Sequence, residues 1–160
     1  MSAERVSPQS SVLTSFDSAQ DRPRSSTVLA FDFGLRRIGV ATGDLQLRIA
    51  HPLETIPTHA YFDRIRRLVK EWQPALFVVG LPHSEDGEER EITRACRRFG
   101  RELETRFGIE VRLFDERFTS SEAAAALKEA GIAGIRQKPL LDKVAAQQIL
   151  QSFFDAASRR

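Results

Sequence analysis

Cysteine occurs once in the 160 residues, at Cys96, so the chain cannot form an internal disulfide. That suits a reducing compartment. No apolar run approaches the length of a membrane span, and the N-terminus lacks the apolar core of a signal peptide. A cytoplasmic protein with no membrane partner is expected. No glycine-rich stretch ends in Gly-Lys-Ser or Gly-Lys-Thr, which excludes the common nucleotide-phosphate loop. His51, His59 and His83 do not fall at zinc-ligand spacing, and His83 reads as a surface-loop residue. No serine–histidine or cysteine–histidine arrangement suggests a side-chain nucleophile. Asp32-Phe33-Gly34 imitates the metal-binding triplet of kinases, but no catalytic-loop pattern precedes it. Lysine is scarce. The basic residues are mostly arginine, which suits bidentate phosphate contacts, while a net charge of +2 alone describes no more than a solvated surface.

What is present is enough chain for one domain with a real core. Residues 1–26 are rich in Ser, Gln, Pro and Asp and poor in apolar side chains. They cannot offset their own ordering entropy and read as a disordered tail, with 27–160 as the folded domain. Val28, Leu29, Phe31 and Phe33 form a first strand, and Ile38 and Val40 a second. Gly34 to Arg37 supplies the turn, with Gly34 free to take positive φ. A third strand over 49–56 carries Pro52, which assigns it to an edge. Helical spacing of Phe62, Ile65, Leu68, Val69 and Trp72 predicts a helix over 61–72 that Pro74 ends. The continuous apolar run 75–80 reads as a strand buried on both faces. A helix over 91–107 follows, capped by Gly108, with Cys96 on its apolar stripe as a packed thiol. A fifth strand over 111–116, a helix opened by the capping box Thr119 to Glu122, a basic loop over 131–141 and a last helix from Asp142 complete the chain. Ala145, Ala146, Ile149, Leu150 and Phe153 share one face of that helix.

This order predicts an α/β fold with a mixed five-stranded sheet. An antiparallel three-stranded meander precedes two parallel crossover strands, with helices on both faces. The first strand is central. Open sheets of this kind bind ligands at the carboxyl ends of their strands.

Asp32 is out of place on such a strand. It shares a face with Val28 and Ala30, and a carboxylate there costs free energy unless a cation meets it. The same edge receives Asp115 and Glu116 from the fifth strand and Asp142 from the last helix. Each has a plain alternative: Asp32 as a turn residue, Glu116 paired with Arg112 or Arg117, Asp142 as an N-cap. Together they make a cage for a hard divalent cation such as Mg²⁺. Asp115 and Glu116 point to opposite faces, so one of the two is the ligand, and spacing does not say which.

Asp32-Phe-Gly followed by Arg37-Ile-Gly-Val-Ala41 resembles the opening motif of the YqgF/RuvX family. Gly80-Leu-Pro82 with Asp86-Gly87, Asp115-Glu-Arg117 with Thr119, and Lys138 with Asp142 and Ala145-Ala146 resemble its later motifs. The four run in the family's order and cover the chain beyond the tail. The tail is longer than the family's usual start, and His83-Ser-Glu stands where related sequences often carry an asparagine. The resemblance implies a ribonuclease H-like nuclease domain over 27–160. It implies a metal-dependent phosphodiester hydrolase that processes the 5′ end of precursor 16S ribosomal RNA in ribosome biogenesis. Asp32, Glu116 and Asp142 become the catalytic and metal-binding carboxylates. Two Mg²⁺ or Mn²⁺ ions would be bridged by Asp32, with Glu116 and Asp142 each completing one shell. Arg36, Arg37, Arg117, Arg136 and Lys138 flank the motifs and would hold neighbouring phosphates. The implied partners are precursor rRNA, branched DNA as an alternative, and a pre-ribosomal particle. Two other readings stay open: a Holliday junction resolvase-type DNA endonuclease, and a non-catalytic RNA-binding assembly factor.

Overall fold

β1 (Thr27–Phe33), β2 (Arg37–Asp44) and β3 (Ala50–Pro57) form an antiparallel meander. The computed structural model describes residues 25–82, 89–116 and 138–158. A 3-10 turn at Thr58–Ala60 leads into α1 (Tyr61–Trp72). β4 (Leu76–Leu81), α2 (Glu91–Phe107), β5 (Val111–Asp115) and α3 (Lys138–Ser158) follow. The sheet order is β3-β2-β1-β4-β5, with β4 parallel to β1 and β5 parallel to β4. The expected mixed sheet with β1 at its centre therefore forms, and Pro52 lies on an edge strand.

β1 is central because it is apolar on both faces. Leu29 and Phe31 join Ile65, Leu68, Phe77, Phe99 and Leu103 in a core beneath α1 and α2. Phe31 meets Phe77 and Phe99 edge-on, with ring centroids 5.5 Å apart in each case. Val28 and Ala30 face the other way, toward Ala146, Ile149, Leu150 and Phe154 of α3. Each large side chain buried in this way stabilises the fold by about 1.5–3 kcal/mol. The α3 side is packed tightly through small residues. A Cβ at Gly43 would stand 2.8 Å from the Phe154 ring and 2.9 Å from Leu150 Cδ2.

Helix ends follow the predicted punctuation. α1 stops at left-handed Gln73 (φ 47°), just before Pro74, and α2 stops at Gly108 (φ 65°). Several expectations change. Gly34 does not take positive φ; among the described glycines only Gly108 does. Gly34 is required instead by space, because a Cβ there would stand 2.6 Å from the Arg37 carbonyl oxygen. α3 begins at Lys138, not at Asp142. Pro139 sits in the first helical turn, where a missing N–H removes no helical bond. Asp142 is therefore inside the helix and is not an N-cap. The deep aromatic anchor is Phe154, while Phe153 is half-buried against Phe114 at 6.0 Å. Ser26 belongs to the folded body, since its hydroxyl donates to Asp44 Oδ2 at 2.7 Å. The predicted tail up to residue 24, the capping-box helix and the basic loop up to residue 137 lie outside the described residues. Among those described, no helix is long and apolar enough to cross a membrane.

Candidate active site

Asp32 stands on the α3 face of the sheet, two residues beyond Ala30, at the carboxyl end of β1. Its neighbours on both sides are glycines. On β2 its partner is Gly39. A Cβ at Gly39 would stand 1.9 Å from the Asp142 carbonyl oxygen and 2.3 Å from the carbonyl carbon. α3 thus rests directly on Gly39 and delivers Asp142 beside Asp32. On β4, Val79 pairs with Phe31, which puts Gly80 one step further on, alongside Asp32. A Cβ at Gly80 would stand 3.2 Å from both Cγ and Oε2 of Glu116. Glu116 therefore lies across Gly80. Asp32 has a bare backbone on each side, and each bare stretch accommodates another acidic residue.

The two acids at the end of β5 separate as the strand pleat requires. Val111 and Leu113 lie against Gly100 of α2, and Asp115 shares their parity. Phe114 lies against Phe153 of α3, and Glu116 follows on that side with Asp32. The structure thus brings Asp32, Glu116 and Asp142 to one edge and directs Asp115 to the other face.

Electrostatics reflect the crowding. Burial pushes the Asp32 carboxyl up to about 7, and the charges of Glu116 and Asp142 add to the shift. Glu116 is also raised, first by burial and then by Asp115. Burial pushes the Cys96 thiol up to about 12, helped by Glu116 and Asp32, so it stays protonated as a core thiol. Asp142 is differently placed. Arg37 Nε donates to its Oδ2 at 2.8 Å, between side chains 35% and 26% exposed. Arg37 holds that carboxylate, and among the described residues no three His, Cys, Asp or Glu side chains are closed into a metal-holding group. The donor set still suits a hard cation: three carboxylates and no soft ligand, with Asp32 raised first by burial and then by the charges of Glu116 and Asp142, which a cation would offset.

Of the predicted phosphate contacts, Arg36 is exposed in the β1–β2 turn, whereas Arg37 is engaged by Asp142. Lys138 opens α3, and Arg117 and Arg136 lie outside the described residues. Gly39 and Gly80 carry their own signal in the sequence, since an isolated glycine inside a strand marks a close approach.

A central β1 with acidic residues gathered beside its carboxyl end defines a class as well as a site. RuvC of T. thermophilus, solved in complex with a Holliday junction substrate, has the same fold. The TM-score is 0.53 at 16% identity, covering 83% of this chain and 96% of that one. The protein is a ribonuclease H-like α/β protein. A family model described as "RuvX: Holliday junction resolvase" matches residues 26–156, and the chain belongs to that family. A protein of Nitrosomonas eutropha is 57% identical over 136 residues, covering 83% of this chain and 87% of the relative. One of Nitrosomonas europaea is 57% identical over 134 residues, covering 82% and 90%. Both carry the name "Putative pre-16S rRNA nuclease".

Proposed function

We propose that the chain is a metal-dependent nuclease that processes the 5′ end of precursor 16S ribosomal RNA, with residues 27–160 as its nuclease domain. A pre-ribosomal particle in the cytoplasm is the proposed setting. The observation that carries the reading is half-buried Asp32 between Gly39 and Gly80, with Asp142 and Glu116 lying over the two glycines. Asp32, Glu116 and Asp142 would hold Mg²⁺ or Mn²⁺. Such an ion, when bound, activates a water and stabilises the charge that develops on the phosphodiester.

The chain's own residues orient this chemistry. The two glycines let the carboxylates approach without a methyl group between them. Ile149 Cδ1, 2.6 Å from where a Cβ on Gly80 would be, walls the site on the core side. Arg36 offers an exposed guanidinium for a neighbouring phosphate, with Arg117, Arg136 and Lys138 proposed for others. Arg37 Nε engages one oxygen of Asp142, Oδ2, and so orients that carboxylate while its positive charge opposes a cation beside it.

The RNA reading is supported by the name that the close relatives carry, and the junction reading by the family's description. The test is a precursor rRNA fragment with its 5′ leader and a four-way DNA junction, each with Mg²⁺, Mn²⁺ or chelator. Metal-dependent trimming of the RNA supports the proposal. Resolution of the junction with the RNA left intact would replace it with the resolvase reading. RNA binding without cleavage under any metal would leave an assembly factor.

A further inference from the structure

α2 and its N-cap residue Arg90 carry six arginines against three acids, Glu91, Glu102 and Glu104, and five of the six lie between positions 90 and 101. Arg90, Arg94, Arg98 and Arg101 are all exposed. At 100° per residue they fall within roughly 80° of arc, as a ridge about 16 Å long. Elsewhere among the described residues Arg37 is paired with Asp142, Arg64 with Glu54, Arg66 with Asp63 and Arg112 with Glu110, while Arg36 and Arg67 stand singly and do not form a row. Arg97, beside the ridge, is paired with Glu89. On the ridge, Arg94 reaches only the Glu89 carbonyl, at 2.9 Å, and among the described residues Arg90, Arg98 and Arg101 form no ion pair.

Beyond the Arg94 contact to the Glu89 carbonyl, the fold gains little from this arrangement. Positive charge in the first turns of a helix opposes the macrodipole, and like charges four apart repel. Arg90 occupies the N-cap position without a side-chain cap bond. The ridge also begins at the right place. α2 packs beside the carboxyl end of β1, where its Phe99 meets Phe33, the residue next to Asp32, with ring centroids 4.7 Å apart.

We propose that the Arg90–Arg94–Arg98–Arg101 ridge binds the phosphate backbone of a double-stranded RNA arm adjoining the strand at Asp32. The inference rests on the nuclease reading above and adds a second contact surface on the opposite side of the sheet from α3. Its contacts are to backbone phosphates, so they position the RNA and read no sequence.

The test is fluorescence anisotropy of a labelled RNA hairpin with a single-stranded 5′ extension, in chelator, across a salt series. Arg94→Ala/Arg98→Ala/Arg101→Ala, checked for fold by circular dichroism, should bind roughly tenfold or more weakly at low salt. Its plot of log K against log salt should be shallower by about 2–3 units, close to one per lost phosphate contact. The matching triple lysine variant should recover most of the slope, because the contact is to charge. Equal affinity and slope for the alanine variant and the unaltered protein would overturn the ridge while leaving the nuclease reading in place. An unaltered protein that binds a four-way DNA junction and not the hairpin would overturn both the RNA arm and the RNA reading.

Discussion

Gly39→Ala is the smallest change that attacks the site through the fold. The added methyl would stand 1.9 Å from the Asp142 carbonyl oxygen, 2.3 Å from its carbon and 3.0 Å from Lys143 N, where ordinary contact begins at 3.4 Å. All three obstacles are backbone atoms, so no rotamer change relieves them. Either α3 lifts by about 1.5 Å or β2 sinks into the core beneath it. Overpacking of this kind costs about 1–3 kcal/mol, and a helix buried through Ala146, Ile149 and Leu150 places the change at the upper end. For a domain of this size, about 3 kcal/mol lowers the melting temperature by roughly 6–12 °C. Asp142 moves with the helix, and a displacement near 1 Å in a catalytic group costs on the order of 100-fold in rate. Gly108→Ala is the control. It has nothing within 4 Å of the added methyl, so it incurs only the strain of φ +65°. That is about 1 kcal/mol, far from the site, with cleavage unchanged. Calorimetry and a cleavage assay on both variants decide. Gly39→Ala melting and cleaving like the unaltered protein would mean that α3 does not rest on Gly39.

Other consequences follow from the carboxylates and Arg37. Asp32 titrates near 7 in the fold against about 3.9 unfolded, so the folded state holds an extra proton between those values. Its contribution is therefore most favourable below pH 4 and is lost as pH rises through 7, by at most about 1.4 kcal/mol per pH unit. Asp32→Asn should accordingly melt higher than the unaltered metal-free protein at pH 8 and not at pH 4. Added Mn²⁺ should raise the melting temperature of the unaltered protein more than that of Asp32→Asn, by binding linkage. Asp115→Asn should retain more activity than Glu116→Gln, and the reverse order would mean the other carboxylate faces the metal. Arg37→Ala should lower metal-free stability, yet tighten Mn²⁺ binding in titration calorimetry, since a positive charge paired with Asp142 is removed. Weaker binding would show that Arg37 positions Asp142 and does not compete for it.

The sequence made Asp32 conspicuous because a single carboxylate interrupts an otherwise apolar strand. The α1 and α2 limits were legible for local reasons, namely helical spacing of apolar residues, Pro74 and Gly108. The separation of Glu116 from Asp115 needed a face assignment that only the packing of Phe114 on Phe153 and of Leu113 on Gly100 supplies. The start of α3 is hidden in the sequence because Pro139 looks like a loop residue when its place in a first turn is unknown. The Arg37–Asp142 pair spans 105 positions, and no local pattern encodes which of many arginines an aspartate will meet. Gly39 and Gly80 carried a usable signal, but its meaning depended on what crosses above them.

The central claim is that Asp32, Glu116 and Asp142 act as one metal site for phosphodiester hydrolysis. The most direct measurement is single-turnover cleavage of the precursor rRNA fragment by the unaltered protein and by Asp32→Asn, with Mg²⁺ or Mn²⁺ and with chelator. Asp32→Asn keeps shape and hydrogen bonding and removes the charge. The account predicts metal-dependent cleavage by the unaltered protein and none above background by the variant, with RNA binding retained. Removing Glu116 or Asp142 as well should cost nothing further, because ligands that work as a unit do not add. Cleavage by Asp32→Asn at the unaltered rate, or cleavage that persists in chelator, would contradict it.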